Sequence, residues 1–488
     1  MPSFDTLIVG AGSAGCVLAA RLSERADRRV LLLEAGPDLR STDLPDELRL
    51  LSRPIAWPYD WGDQVRSLGG RALHYGRGRG VGGSSATNGA VAMRAEPADF
   101  ASWPEGWSWD DMLPCFRRLE RDLDFGDAPY HGAAGPVPIV RWPRESWTPM
   151  QRAFHDACLA LGFAECPDHN APDTTGVGPI PMNREGRARV SNATAYLEPA
   201  RARPNLQVRG NAHVRRVLLE GSRAVGVELV DGERILAGEV VLCSGVVQNP
   251  LLLWRSGIGP AEQIRALGGD VLVDLPAVGS HVTDHAVVNV VHEIDPSAAP
   301  DGAPSLQVIL RATAPASERV NDLQLTPWVR RVDEQRRALG ISVSLQLPDG
   351  EGSVVPTTLD PAANACITWP FLEIDGNVAR LREGWRLATR IVESTGIATD
   401  VDSLRKALEL DDDEVDRIVR DTHAAFYHGV GTCRMGDHAR TSVVDARGAV
   451  HGVERLRIVD ASIAPTVPRT NTHLLVTAMA ERAAELVS

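Results

Sequence analysis

Residues 6–15 read Thr6-Leu7-Ile8-Val9-Gly10-Ala11-Gly12-Ser13-Ala14-Gly15, and a second apolar run, Val30-Leu31-Leu32-Leu33, ends on Glu34. This pattern predicts a buried strand, a tight turn, the start of a helix and a second strand closing on an acid. Gly10 allows the turn, Gly12 lets backbone N–H groups approach a pyrophosphate, and Gly15 lets the helix pack closely on the strand. The phosphates are expected at the helix N-terminus, beside Ser13 and Ala14, where unpaired N–H groups and the dipole favour anions. Glu34 lies nineteen residues after Gly15, near the ~20 usual for a carboxylate that binds ribose hydroxyls. With Ala35 behind it, this acid favours an unphosphorylated ribose, so FAD or NAD rather than NADP.

The net charge of −13 argues against nucleic acid or an anionic membrane as a general partner. No stretch reaches the ~18 consecutive apolar residues of a membrane span. No basic segment followed by an apolar one opens the chain, so a cytoplasmic protein is expected. The seven cysteines, Cys16, Cys115, Cys158, Cys166, Cys243, Cys366 and Cys433, are scattered without a CxxC pair. Reduced, mostly buried thiols and no metal site are expected.

Residues 37–75 read as irregular surface structure, 108–122 as a helix capped by Ser108, and 149–162 as a second helix. From Leu206 the pattern has period two, and Val240-Val241-Leu242-Cys243 followed by Ser244-Gly245 predicts a strand ending at a second ligand-facing turn. Residues 285–375 read as an antiparallel sheet, with Ile341-Ser-Val343-Ser-Leu345-Gln-Leu347 as its clearest alternation; 376–420 read as helical, 456–460 as a strand and 474–487 as a closing helix. The expected fold class is α/β, with a Rossmann-like nucleotide domain and a discontinuous α+β substrate domain built on an antiparallel sheet. Its expected segments are 1–150 (nucleotide), 151–204 (substrate and connection), 205–284 (nucleotide), 285–420 (substrate) and 421–488 (nucleotide, closing).

The stretch Gly78-Arg79-Gly80-Val81-Gly82-Gly83-Ser84-Ser85-Ala86-Thr87-Asn88-Gly89 resembles the first signature of the glucose-methanol-choline (GMC) oxidoreductases, and residues 245–260 resemble the second. Tyr427-His428-Gly429-Val430-Gly431-Thr432-Cys433-Arg434-Met435-Gly436 is similar to the family's catalytic histidine segment. Val459-Asp460-Ala461-Ser462, with Pro465-Thr466 and Asn471-Thr472, is similar to its closing flavin segment. The resemblance implies FAD, with Arg79, Gly82, Gly83, Ser84, Asn88, Gly89, Ala90 and Val91 along the pyrophosphate and isoalloxazine. It implies Val214 at the adenine, Ser244 and Gly245 at the second turn, and Asp460, Ala461, Asn471 and Thr472 near the flavin. Thr87 stands where some members carry a flavin-linked histidine, so dissociable FAD is expected. Asn249 replaces the usual Ser or Thr of the second signature.

The family removes a hydroxyl proton from an alcohol and passes hydride from carbon to flavin N5. The resemblance therefore implies His428 as base and Asn471 as donor to the substrate oxygen. His473, two residues on, remains the alternative second group. Tyr427, Trp369 and His473 are candidates for the substrate pocket; Trp328 and Phe371 read as packing, and His281, Asp284 and His285 as structural. The segments 122–126 and 131–139 resemble bacterial aryl-alcohol and hydroxymethylfurfural oxidases, and also choline-dehydrogenase-like or mycofactocin-associated members. The expectation is oxidation of a primary aryl or small alcohol to an aldehyde, with oxygen or another electron acceptor. The alternatives are a dehydrogenase fed by an alcohol or by reduced mycofactocin, and a flavin-containing hydroxynitrile lyase.

Overall fold

The computed structural model describes residues 4–51, 59–315, 317–333 and 336–487. The opening apolar run forms the strand Phe4–Val9, the glycine turn leads into the helix Ser13–Leu22, and Val30–Leu33 forms the second strand. These strands are buried on both faces, so their apolar runs are continuous. Leu206–Arg209, Val30–Leu33, Phe4–Val9 and the second half of Arg234–Leu242 lie parallel in that order, with Leu456–Ile458 parallel on the far side. Arg234–Leu242 also runs antiparallel to Arg223–Leu229, which pairs with Val214–Glu220 to complete a seven-stranded sheet. Five segments far apart in the chain thus end at one edge, where Val9, Leu33 and Cys243 stand together around a cavity.

The second sheet has six antiparallel strands in the order Ala424–Ala425, Ala286–Ile294, Arg337–Leu345, Leu323–Arg331, Val308–Ala312 and Gly176–Pro179. The alternation read from residues 341–347 has two consequences. Leu323, Leu325, Ile341, Val343 and Leu345 face one way and pack with Val378, Leu381, Trp385 and Ile391 of the helix Asp375–Thr395. Gln324, Thr326, Trp328 and Ser342 face the other way, onto the same cavity that the first sheet borders.

Several boundaries differ from the sequence reading. The helix capped by Ser108 spans Trp109–Leu119, and residues Glu120–Asp122 form a strand paired with Val137–Ile139. Extended backbone there turns Glu120 and Asp122 inward. The helical region after 375 is three helices, Asp375–Thr395, Val401–Glu409 and Asp412–Thr422; Gly396 ends the first, and Asp400 and Asp411 cap the others. Residues 37–75 contain the short strands Gln64–Arg66 and Ala72–His74, paired with each other and with Ala365–Thr368; part of that segment, 52–58, lies outside the described residues. All seven cysteines are unpaired, six buried and Cys366 half-buried.

The buried acids need counter-charges. Arg94 meets Glu120 at 2.5 Å, Arg141 meets Asp122 at 2.8 Å and Asp168 at 2.7 Å, and His131 bridges Glu120 (2.8 Å) and Asp168 (2.9 Å). Burial alone would keep His131 neutral; the two carboxylates outweigh it and raise it to about 9. Glu120, Asp122 and His131 are close enough to hold a metal ion, but the two arginines already neutralise the acids. Arg94→Met leaves Glu120 buried without its arginine and is expected to destabilise the protein by roughly 3–5 kcal/mol, read as a fall in the thermal unfolding midpoint. An unchanged midpoint contradicts this account of the cluster.

Candidate active site

One cavity of about 680 Å3 runs from the glycine turn to the antiparallel sheet. At one end, Gly10 turns with φ +96°, a conformation that L side chains rarely adopt, and a Cβ on Gly15 would lie 1.9 Å from the Gly10 oxygen. Gly12, Ser13 and Ala14 border the cavity at the N-terminus of the first helix, which has no side-chain cap. Their end of the helix is free to meet an anion.

Glu34 also borders the cavity. Its Oε2 accepts from the Ala11 N–H at 2.9 Å, and its Oε1 accepts from Gly36 (2.9 Å) and Gly80 (3.1 Å). A carboxylate has about four lone-pair sites, so capacity remains for a ligand hydroxyl. Burial pushes Glu34 upward, and the three amides oppose it. Ala35 and Val214 stand beside it. Asp460 Oδ2 accepts from Gly245 N–H at 2.7 Å and from Asn249 Nδ2 at 2.8 Å, which ties the second turn to the closing segment. Asn249, the departure from the second signature, thus has a defined partner.

Gly83, Ser84, Asn88, Gly89 and Val91 border the middle of the cavity, as do Ser244, Gly245, Asp460, Ala461, Asn471 and Thr472. Gly15, Arg79, Gly82 and Ala90 stand behind the wall instead. Gly15 packs on the Gly10 carbonyl; Gly82 donates to the Ala11 carbonyl at 2.8 Å. Arg79 stacks on Trp61 at 5.1 Å, and Ala90 is fully buried.

At the far end, His428 Nε2 lies 3.1 Å from Asn471 Nδ2, and His428 Nδ1 lies 2.9 Å from His285 Nδ1. His285 Nε2 lies 2.9 Å from the Pro468 carbonyl. A carbonyl only accepts, so His285 Nε2 carries a proton. Burial holds His285 down to about 4, so it is neutral and its Nδ1 is an acceptor. His428 must then donate from Nδ1, which leaves a lone pair on Nε2 facing Asn471. Burial first, then the neighbouring His285 and the positive Arg77, push His428 well below its usual range, so it too is neutral.

The backbone around His428 is held as tightly. Asp284 Oδ1 accepts from the N–H groups of His428 (2.9 Å) and His285 (2.6 Å), while Tyr75 donates to Asp284 Oδ2 at 2.8 Å. Burial raises Asp284 to about 6 against the opposing pull of Arg77 and these hydrogen bonds. Tyr427, with φ +67°, makes the sharp turn that aims His428 inward. Gly429 leaves room for the Tyr75 hydroxyl, since a Cβ there would lie 2.1 Å from it.

The structure thus brings Asn471, not His473, to His428. His473 borders the cavity, but its Nε2 meets Asn192 Oδ1 at 3.1 Å, and burial holds it neutral at about 4. Tyr427 lies on the cavity wall. Trp369 does not: it is buried edge-on against Tyr75 at 5.3 Å and beside Phe371, behind the wall. Trp328, read as packing, does border the cavity. Asp284 and His285, read only as structural, touch His428 directly. No local signal marks that contact, because 143 residues separate His285 from His428.

The N-terminal GMC oxidoreductase family model matches residues 4–287 and the C-terminal one residues 348–480. The chain belongs to the GMC oxidoreductases. It is 33% identical over 528 residues to a 5-(hydroxymethyl)furfural oxidase of Methylovorus sp., covering 99% of this chain and 98% of that protein. It is 32% identical over 533 residues to an oxygen-dependent choline dehydrogenase of Vibrio vulnificus, covering 99% and 94%. The crystal structure of pyridoxine 4-oxidase from Mesorbium loti matches with a TM-score of 0.88 at 30% identity, covering 99% of both chains. This GMC oxidoreductase is an FAD-dependent enzyme acting on CH–OH groups, as an alcohol oxidase or dehydrogenase. Its fold is the expected Rossmann-like FAD-binding domain with a substrate domain on an antiparallel sheet. Among the described residues no helix is long and apolar enough to cross a membrane.

Gly429→Ala is expected to destabilise the enzyme by about 1–3 kcal/mol through overpacking. The loss should be smaller in a Tyr75→Phe background, where the clashing oxygen is gone. Thermal unfolding of the four combinations checks this, and equal losses in both backgrounds contradict it.

Proposed function

We propose that the enzyme oxidises a primary alcohol, aryl or small, to the aldehyde. The observation that carries this reading is the His428–Asn471 pair in the cavity, with the imidazole lone pair turned toward the carboxamide. In this reading His428 Nε2 accepts the hydroxyl proton, and the Asn471 amide donates to the oxygen as negative charge develops there. His285 and Asp284 hold the base in its tautomer and orientation. Bound FAD supplies the acceptor for the hydride leaving the alcohol carbon.

The residues present fit that cofactor. The bare helix N-terminus at Gly12 to Ala14 suits the pyrophosphate, Glu34 the adenosine ribose, and the backbone at Val214 the adenine. The wall from Gly83 to Val91, with Ala461 and Thr472, suits the flavin. Thr87 offers no imidazole for a covalent link, so the flavin should be released on denaturation. Electrons pass on to oxygen or to another acceptor.

The test is anaerobic flavin bleaching with benzylic, furanic and aliphatic alcohols, followed by air. Bleaching by a primary alcohol with formation of the aldehyde supports the proposal. Fast recovery in air marks an oxidase, and slow recovery a dehydrogenase. His428→Ala is expected to keep its flavin and lose on the order of 10²–10⁴ in the rate of bleaching. Bleaching by no alcohol, or an unchanged rate in that variant, overturns it.

A further inference from the structure

A proton taken up by His428 has to be held in a poor place for positive charge. Burial is the largest push against a charge on either imidazole, but the two rings differ in what else faces them. His285 has the carbonyls of Pro468 and Gln346, which oppose burial and favour a proton on it. His428 has Arg77, which acts in the same direction as burial. The charge is therefore better placed on the inner ring than on the ring that meets the substrate.

The path to that inner ring is already built. His428 Nδ1 and His285 Nδ1 are hydrogen-bonded directly at 2.9 Å. On the far side, His285 Nε2 donates to the Pro468 carbonyl at 2.9 Å, and the residue is fully buried. A hydrogen bond from an ionised donor is about twice as strong as one from a neutral donor, so this contact strengthens as charge arrives. Asp284 Oδ1 accepts from the backbone N–H groups of both histidines, at 2.9 and 2.6 Å, which fixes their separation. The Phe426 ring lies 4.7 Å from the His428 ring and 6.3 Å from the His285 ring, an apolar cover on the pair. The charged and titratable groups around the pair are Asp284, Tyr75 at 2.8 Å from its Oδ2, and Arg77 at 3.8 Å from the same oxygen.

We propose that the base is the imidazole pair rather than His428 alone: as His428 Nε2 takes the hydroxyl proton, the proton on His428 Nδ1 passes to His285 Nδ1. The substrate O–H bond breaks and an N–H bond forms at His428 Nε2. The N–H bond at His428 Nδ1 breaks and another forms at His285 Nδ1. Each electron pair stays on the atom its proton leaves. His428 ends neutral, and the positive charge ends on His285 against the Pro468 carbonyl. After the aldehyde leaves, the Nε2 proton departs into the cavity and the relay runs back to the resting tautomers. His285 touches no substrate and acts only through His428. The inference rests on the alcohol-oxidation reading above and deepens it.

The test is a proton inventory of flavin-loaded enzyme. The rate of anaerobic flavin reduction by the best primary alcohol is measured in mixtures of H2O and D2O, for the unaltered enzyme and for His285→Asn. The Asn amide oxygen takes the place of Nδ1: it accepts the His428 N–H but cannot take its proton. The unaltered enzyme is expected to give a curved inventory, the mark of two protons moving together. His285→Asn is expected to keep its flavin, to give a straight line, and to be slower by roughly tenfold or more. A straight inventory or no solvent isotope effect in the unaltered enzyme, or a variant as fast as it, overturns the relay and leaves His428 as the sole base. The unaltered enzyme decides the matter even if the variant loses its flavin. Bleaching by no alcohol overturns the alcohol reading, and the relay with it.

Discussion

The carbonyl of Pro468 has no proton to give, and the arrangement of the site follows from that. His285 must present its N–H to it, which leaves an acceptor at the other ring nitrogen, 2.9 Å from His428. His428 then donates in turn, and its lone pair is directed to Asn471. Reversing the chain would require His285 to carry two protons in a fully buried position, which its depressed affinity opposes. A backbone group, fixed by the closing segment, thus sets the protonation order of two imidazoles from distant parts of the sequence.

The two sheets bring those parts together. The parallel sheet ends its strands at the edge where the helix N-terminus, Glu34 and the second turn meet. The antiparallel sheet packs one face on helices and turns the other over the cavity. Asp284 and His285 immediately precede the strand Ala286–Ile294, and His428 follows shortly after Ala424–Ala425, which pairs with that strand. Strand pairing therefore delivers base and partner to one place, and Asp284 locks their backbones.

Much of this is legible in the sequence where the signal is local. The Gly10-x-Gly12-x-x-Gly15 turn, the strand ending on Glu34, the Ser108 cap and the alternation at 341–347 each follow from spacing and residue type. The nearness of His428 to Asn471 followed from two matched segments. What was not legible depends on contacts across the chain. Nothing near Trp369 tells that it stands behind Tyr75, nor anything near Trp328 that its ring faces the cavity. His285 reads as an ordinary core histidine until the strand beside it is paired. Glu120 to Asp122 continues a helical pattern locally, yet the demand of those acids for Arg94, Arg141 and His131 fits extended backbone.

The central claim is the direction of the proton chain, and nitrogen-15 NMR of histidine-labelled, flavin-loaded enzyme tests it most directly. The expected result is a neutral His428 with its proton on Nδ1 and a free lone pair on Nε2, and a neutral His285 with its proton on Nε2. A His428 resonance pair showing the proton on Nε2, or a doubly protonated His285 at neutral pH, would contradict it.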